Sequence, residues 1–201
     1  MNRRIYIIFY RVLSRFFMAV KRNTLQSYLA ELLAADVIKD YAPNGLQVAG
    51  CESIEIIISG VSANMEFIEQ AAAKGADTVI VHHGFFWRGE DPCLHGVKKN
   101  RLQALLSHDI NCFAYHLPLD VHRVYGNNIQ LAQRLGVVID QWLKVESSLP
   151  LVAIGHLPRA INAAGFSEKI AQILNRQPLM ISPLSEKIIK KVAICTGAAQ
   201  D

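Results

Sequence analysis

The 201 residues contain no C-x-x-C pair, no phosphate-binding G-x-x-x-x-G-K loop, no uninterrupted apolar run of membrane-spanning length, and no acidic side chain before Glu31. Each absence removes a class of function. The four cysteines, Cys51, Cys93, Cys112 and Cys195, are too dispersed for a disulfide framework and read as reduced thiols of a cytoplasmic protein. The apolar stretch Ile5–Tyr10 is interrupted by Arg11 and Arg15 well short of the roughly 20 residues a helical span needs, so no membrane partner is expected. The formal charge of +4 comes from a basic head carrying Arg3, Arg4, Arg11, Arg15, Lys21 and Arg22. Without it the chain is close to neutral, which argues against a nucleic-acid partner. Ser59 and Ser62 lack a readable His-Asp partner for nucleophilic catalysis. Pro92-Cys93-Leu94-His95 lacks the H-x-E and the second cysteine of a zinc deaminase.

What is present is an ordered globular composition, 51% hydrophobic and 19% charged. Residues 1–22 read as a leader with three possible origins: translation begun upstream of a start at Met18, an organellar presequence, or a surface-lying helix. From Thr24 a helix is predicted, with Asn23 or Thr24 as N-cap and Leu25, Leu29, Leu32 and Leu33 on one face. Asp40 to Gly45 has turn chemistry. A strand Ile54–Val61, a helix Met65–Lys74 capped by Asn64 and stopped by Gly75, and a strand ending in His82-His83 form a β-helix-β crossover. A helix with Leu102, Leu105, Leu106 and Ile110 on its apolar face, a strand Cys112–Tyr115 and a helix Asn127–Leu135 continue the alternation, which predicts a three-layer α/β core. Beyond Gly136 short elements alternate with Pro150, Pro158, Pro178 and Pro183. Val137 to about Lys190 is therefore read as a smaller inserted α/β domain, and Val192–Cys195 as a strand returning to a core made of 23–136 and 191–201.

The chemistry concentrates at two strand ends, Val81-His82-His83-Gly84 and His116-Leu117-Pro118-Leu119-Asp120. Adjacent residues of a strand face opposite sides, so His82 and His83 serve two ions more easily than one, with Asp120 reaching both from the next strand end. Imidazole plus carboxylate suits Zn²⁺, Fe²⁺ or Mn²⁺. The alternative is a merely polar strand end. His116 is open between a ligand, a partner of a ligand, a general base and a satisfied buried histidine. Glu90 and Asp91 are further oxygen ligands to consider, and Trp87 with Arg88 a lid or a surface for a flat substrate.

Taken together and in this order, Asp40–Val48, Val81–Gly84, His116–Asp120, Gly126–Asn128 and Cys195–Gly197 resemble the Nif-three-like dinuclear-metal family, whose members are called GTP cyclohydrolase I type 2 homologues. The resemblance runs from about Asn23 to the last residue. It implies a two-domain α/β subunit, a toroidal homohexamer, and two divalent ions (Fe, Zn or Mn) bound by His82, His83 and Asp120, with His116 a residue of the site; the role expected for His116 is assistance to proton transfer. It further implies metal-dependent hydrolysis of a C–N or phosphate-ester bond in a small molecule that the motifs do not specify. The rival it leaves is a ring-forming metal-binding scaffold or regulator without catalysis. Relatives continue past the glycine turn to a late His and Glu, whereas this sequence ends at Asp201, so the expectation is an incomplete core retaining one ion or none and an impaired hydrolase.

Overall fold

The computed structural model describes residues 19–143, 151–181 and 186–197. The expectations attached to Ile5–Tyr10, Met18, Pro150, Pro183 and the residues after Gly197 lie outside them. The architecture is α/β, in two units that meet in the chain between Pro118 and Leu119.

The first unit begins with β1 (Val20–Lys21), α1 (Arg22–Leu33), β2 (Gly45–Val48) and β3 (Ser53–Ile54). It continues with β4 (Ile57–Ser62), α2 (Met65–Ala73), β5 (Thr78–His83), α3 (Gly96–Ser107) and β6 (Asn111–Ala114). Four strands form a sheet in the order β2-β6-β5-β4; β4, β5 and β6 are parallel, and β2 runs antiparallel on β6. Central position explains the composition of β5 and β6: Val79, Val81, Cys112 and Ala114 are buried among Phe67 and Ile68 of α2 and Leu102 and Leu105 of α3. The Asn64 side chain accepts from Phe67 N–H and starts α2 as expected. At Gly60 a β-carbon would lie 2.5 Å from the Phe67 ring, so glycine is what lets α2 seat its aromatic on β4.

Several expectations are corrected here. Ile54–Val61 is two strands, because the Asp77 carboxylate accepts from the Glu55 and Ile56 N–H groups (2.8 Å each) and draws them out of the ladder. Val20, Lys21 and Arg22, read as leader, belong to the fold: Val20 pairs with Ile54, and α1 starts at Arg22 without a side-chain cap. Leu106 is exposed, and buried Ile110 lies beyond the end of α3.

The short helix α4 (Leu117–Val121) carries the chain across the division. The second unit then holds α5 (Asn127–Leu135), β7 (Val138–Leu143), β8 (Val152–Asn162), α6 (Ala163–Leu174) and β9 (Ile188–Ile194). Its sheet is antiparallel, in the order β7-β8-β9. The sequence texture set a division at Val137, but α5 groups with the later strands, since Ala132 and Leu135 share a core with Ala153, Leu157, Phe166 and Ile194. For the same reason the strand expected to return to the first core is β9, paired along β8. Pro158 does not end β8; it falls in the register shift between His156 and Ile161, where a missing N–H breaks no ladder bond. α6 starts at Ala163, where the Asn162 side chain caps it by accepting Gly165 N–H. No helix among the described residues is long and apolar enough to cross a membrane.

Candidate metal centre

Three parallel strands end on one edge of the first sheet, where α/β proteins place their ligands. Ser62 closes β4, His83 closes β5, and two residues past β6 comes His116. The antiparallel partner β2 starts at this edge, with Gly45 opposite Ala114, so the loop Asp40–Asn44 that precedes it arrives there too. Beyond Val81 the β6 register has run out, while on the β4 side the Ser62–His83 register continues. There His82 and His83, expected to face opposite sides, bring their rings to 4.5 Å from each other. His116 lies 4.9 Å from the His82 ring and 5.7 Å from that of His83. One ligand atom from each of the three lies within 4.8 Å of the other two.

Each ring is oriented through Nδ1. His82 Nδ1 sits 3.0 Å from the Tyr115 carbonyl, which can only accept, so that nitrogen carries the proton and Nε2 carries the lone pair. His83 Nδ1 is 3.0 Å from Ser62 Oγ, the neighbour its strand register supplies. His116 Nδ1 is 2.8 Å from Asp40 Oδ1, and its backbone N–H donates to Asn44 Oδ1 at 2.8 Å. Burial works against ionisation of Asp40, but hydrogen bonds from His116, Asn44, Leu117 N–H and Tyr41 N–H outweigh it and hold the carboxyl below its usual value. Such backing partners are what metal-binding imidazoles have behind them. The donor set therefore fits a borderline divalent ion of the kind imidazole prefers.

Trp87 stands edge-on to His116 with 4.9 Å between ring centroids, and 6.1 Å from His83. Its loop is fastened to the Asp40 loop: Arg88 N–H donates to the Tyr41 carbonyl (2.7 Å) and Arg88 Nη2 to the Asp40 carbonyl (3.0 Å). Gln47 of β2 completes the frame. Its Oε1 accepts Phe85 N–H at 2.7 Å, and its Nε2 donates to the carbonyls of Pro43 and Phe85. Glu90 and Asp91 are elsewhere engaged and exposed, Glu90 with Lys98 and Asp91 with His95.

Asp120, the fourth residue singled out by sequence, lies in the second unit. It is buried, and its Oδ1 accepts from Asn127 Nδ2 (2.8 Å) and Thr196 Oγ1 (3.2 Å). Asn128 Oδ1 accepts from Thr196 N–H, so the Gly126–Asn128 and Cys195–Gly197 motifs meet around Asp120. Sequence reasoning missed Asp40, Asn44 and Ser62 as backing groups. Asp40 and Asn44 looked like turn residues, and Ser62 was weighed only as a nucleophile; no local signal carries the register that delivers them to histidines.

The family model described as Duf34/NIF3 (NGG1p interacting factor 3) matches residues 20–201. A "GTP cyclohydrolase 1 type 2 homolog" of Vibrio cholerae is 43% identical over 178 residues, covering 88% of this chain and 70% of that protein. The protein of the same description from Haemophilus influenzae is 44% identical over 176 residues, with the same coverage. The solved structure of protein ybgI, described as of unknown function, superposes with a TM-score of 0.85 at 41% identity, over 90% of this chain and 71% of that one.

Proposed function

We propose a metal-dependent hydrolase from the premise that this chain belongs to the Duf34/NIF3 family. The observation that carries the reading is the convergence of His82, His83 and His116 within 4.8 Å at the carboxyl ends of parallel strands. In this reading the three histidines hold one or two divalent ions. When bound, such an ion would supply Lewis acidity, the property that polarises a scissile bond and lowers the pKa of water. The substrate is a small molecule with a C–N or phosphate-ester linkage.

The chain's own residues do the remaining work. Tyr115 and Ser62 fix the rings of His82 and His83 through Nδ1, so that no rotamer search is needed when substrate arrives. Trp87 walls the side of the site beside His83 and His116 and keeps bulk water from their rings.

The test is to load purified protein separately with Zn²⁺, Mn²⁺ and Fe²⁺, quantify bound metal, and screen phosphate esters and cyclic amides for hydrolysis. His82→Ala and His83→Ala are expected to lose both metal and turnover while keeping the wild-type circular dichroism spectrum. A wild type that retains no metal, or hydrolysis that survives both substitutions, would sink the assignment.

A further inference from the structure

We infer that Asp40 is a positioning residue that fixes His116 with its proton on Nδ1, so that Nε2 offers a lone pair to the histidine cluster. The inference concerns the ring itself; only its consequence for metal affinity rests on the function proposed above. The Asp40 side chain is 1% exposed, and every acceptor direction it has is engaged. Oδ1 receives Tyr41 N–H (2.6 Å) and faces His116 Nδ1 (2.8 Å); Oδ2 receives Asn44 Nδ2 (3.0 Å) and Leu117 N–H (2.8 Å). The direction of each bond can be assigned. The two backbone groups can only donate, and the Asn44 amide is oriented by its own carbonyl oxygen, which accepts His116 N–H. A buried carboxylate surrounded in this way has nothing to give His116, so the ring nitrogen facing it is the donor.

A neutral imidazole in water favours the other tautomer, with the proton on Nε2. Reversing that preference is therefore a measurable action of the fold, and it decides what His116 can do: with the proton on Nδ1, Nε2 ligates a cation or takes a proton from water, and does not donate one. The same loop also holds the backbone, through Asn44 on His116 N–H and Asp40 on Leu117 N–H. Ring and main chain are thus set by one segment, Asp40–Asn44, which reaches the site because β2 is antiparallel to β6.

The experiment uses the full chain, free of metal, in alkaline buffer where the imidazoles are neutral. Two-bond ¹H–¹⁵N correlation spectra report each histidine's tautomer, and His116 is assigned by the signals lost in His116→Gln. The expected wild-type pattern is Nδ1–H for His116. In Asp40→Ala it turns to Nε2–H, whereas His82, backed by the Tyr115 carbonyl, keeps its pattern and serves as a folding control. Asn44→Ala leaves the tautomer in place. Zn²⁺ affinity, measured by chelator competition, falls about 10- to 100-fold in Asp40→Ala. An Nε2–H pattern for His116 in the wild type overturns the inference without any variant being made. So does a folded Asp40→Ala with unchanged tautomer. A wild type that binds no Zn²⁺ yet shows the Nδ1–H pattern would defeat the hydrolase reading and leave the tautomer assignment standing.

Discussion

Gly84, the residue directly after the histidine pair, gives the sharpest test of how the site is framed. Its backbone is not in the left-handed region, so alanine carries no conformational strain there and its effect on the folded state is steric. A β-carbon at Gly84 would sit 2.1 Å from Gln47 Oε1 and 2.7 Å from the Ala114 β-carbon. The first clash can be relieved only by moving Gln47, which breaks its bond from Phe85 N–H. The second requires β6 itself to shift. Overpacking of this kind costs about 1–3 kcal/mol, and loss of the hydrogen bond about 1 kcal/mol. Restricting the unfolded chain offsets some 0.4–1 kcal/mol. Gly84→Ala should therefore destabilise the protein by about 2 kcal/mol, read as a lowered urea midpoint at unchanged slope. In a Gln47→Ala background the closer clash is gone, and the same substitution should cost about 1 kcal/mol less. A Gly84→Ala protein within about 0.5 kcal/mol of wild type, or an equal cost in both backgrounds, would refute the account of the Gln47 frame.

Two further outcomes follow from buried groups. Asn111 is fully buried; it accepts Gly50 N–H (2.8 Å) and donates to the Cys51 carbonyl (2.9 Å), so Asn111→Ala should cost about 3 kcal/mol by removing both bonds and leaving Gly50 N–H without its acceptor. A urea-melt difference below about 1 kcal/mol would show that the 50–51 turn finds other partners. Burial pushes the Cys112 thiol up to about 12, whereas Cys93 is exposed. Cys112 should thus stay unlabelled by a thiol reagent near pH 8 until the protein is unfolded, with Cys93 modified at once. Mass spectrometry that finds the two labelled at equal rates in native protein would contradict the packing of β6.

Legibility in the sequence followed the range of the interaction. The Asn64 cap, the Gly75 and Gly136 stops, and the β5 run into His82-His83 are local, set by one residue's dihedral or hydrogen bond with near neighbours, and they stand as read. The break at Glu55–Ile56 was invisible because the carboxylate that makes it, Asp77, is more than twenty residues away. The return of β9 to β8, and the division at Leu119, turn on which apolar faces share a core, and a periodicity does not name its partner.

By itself the sequence determined that this is an α/β protein of the Duf34/NIF3 family and that histidines stand at two strand ends, because strand propensity, caps and motif spacing are written along the chain. Only the tertiary structure decided that His82 and His83 lean together with His116, and that Ser62, Tyr115 and Asp40 back them. Those contacts come from strand order and register, β4 beside β5 and β2 reversed on β6. Register is fixed by the burial of whole sheet faces, and no single residue in the chain encodes it.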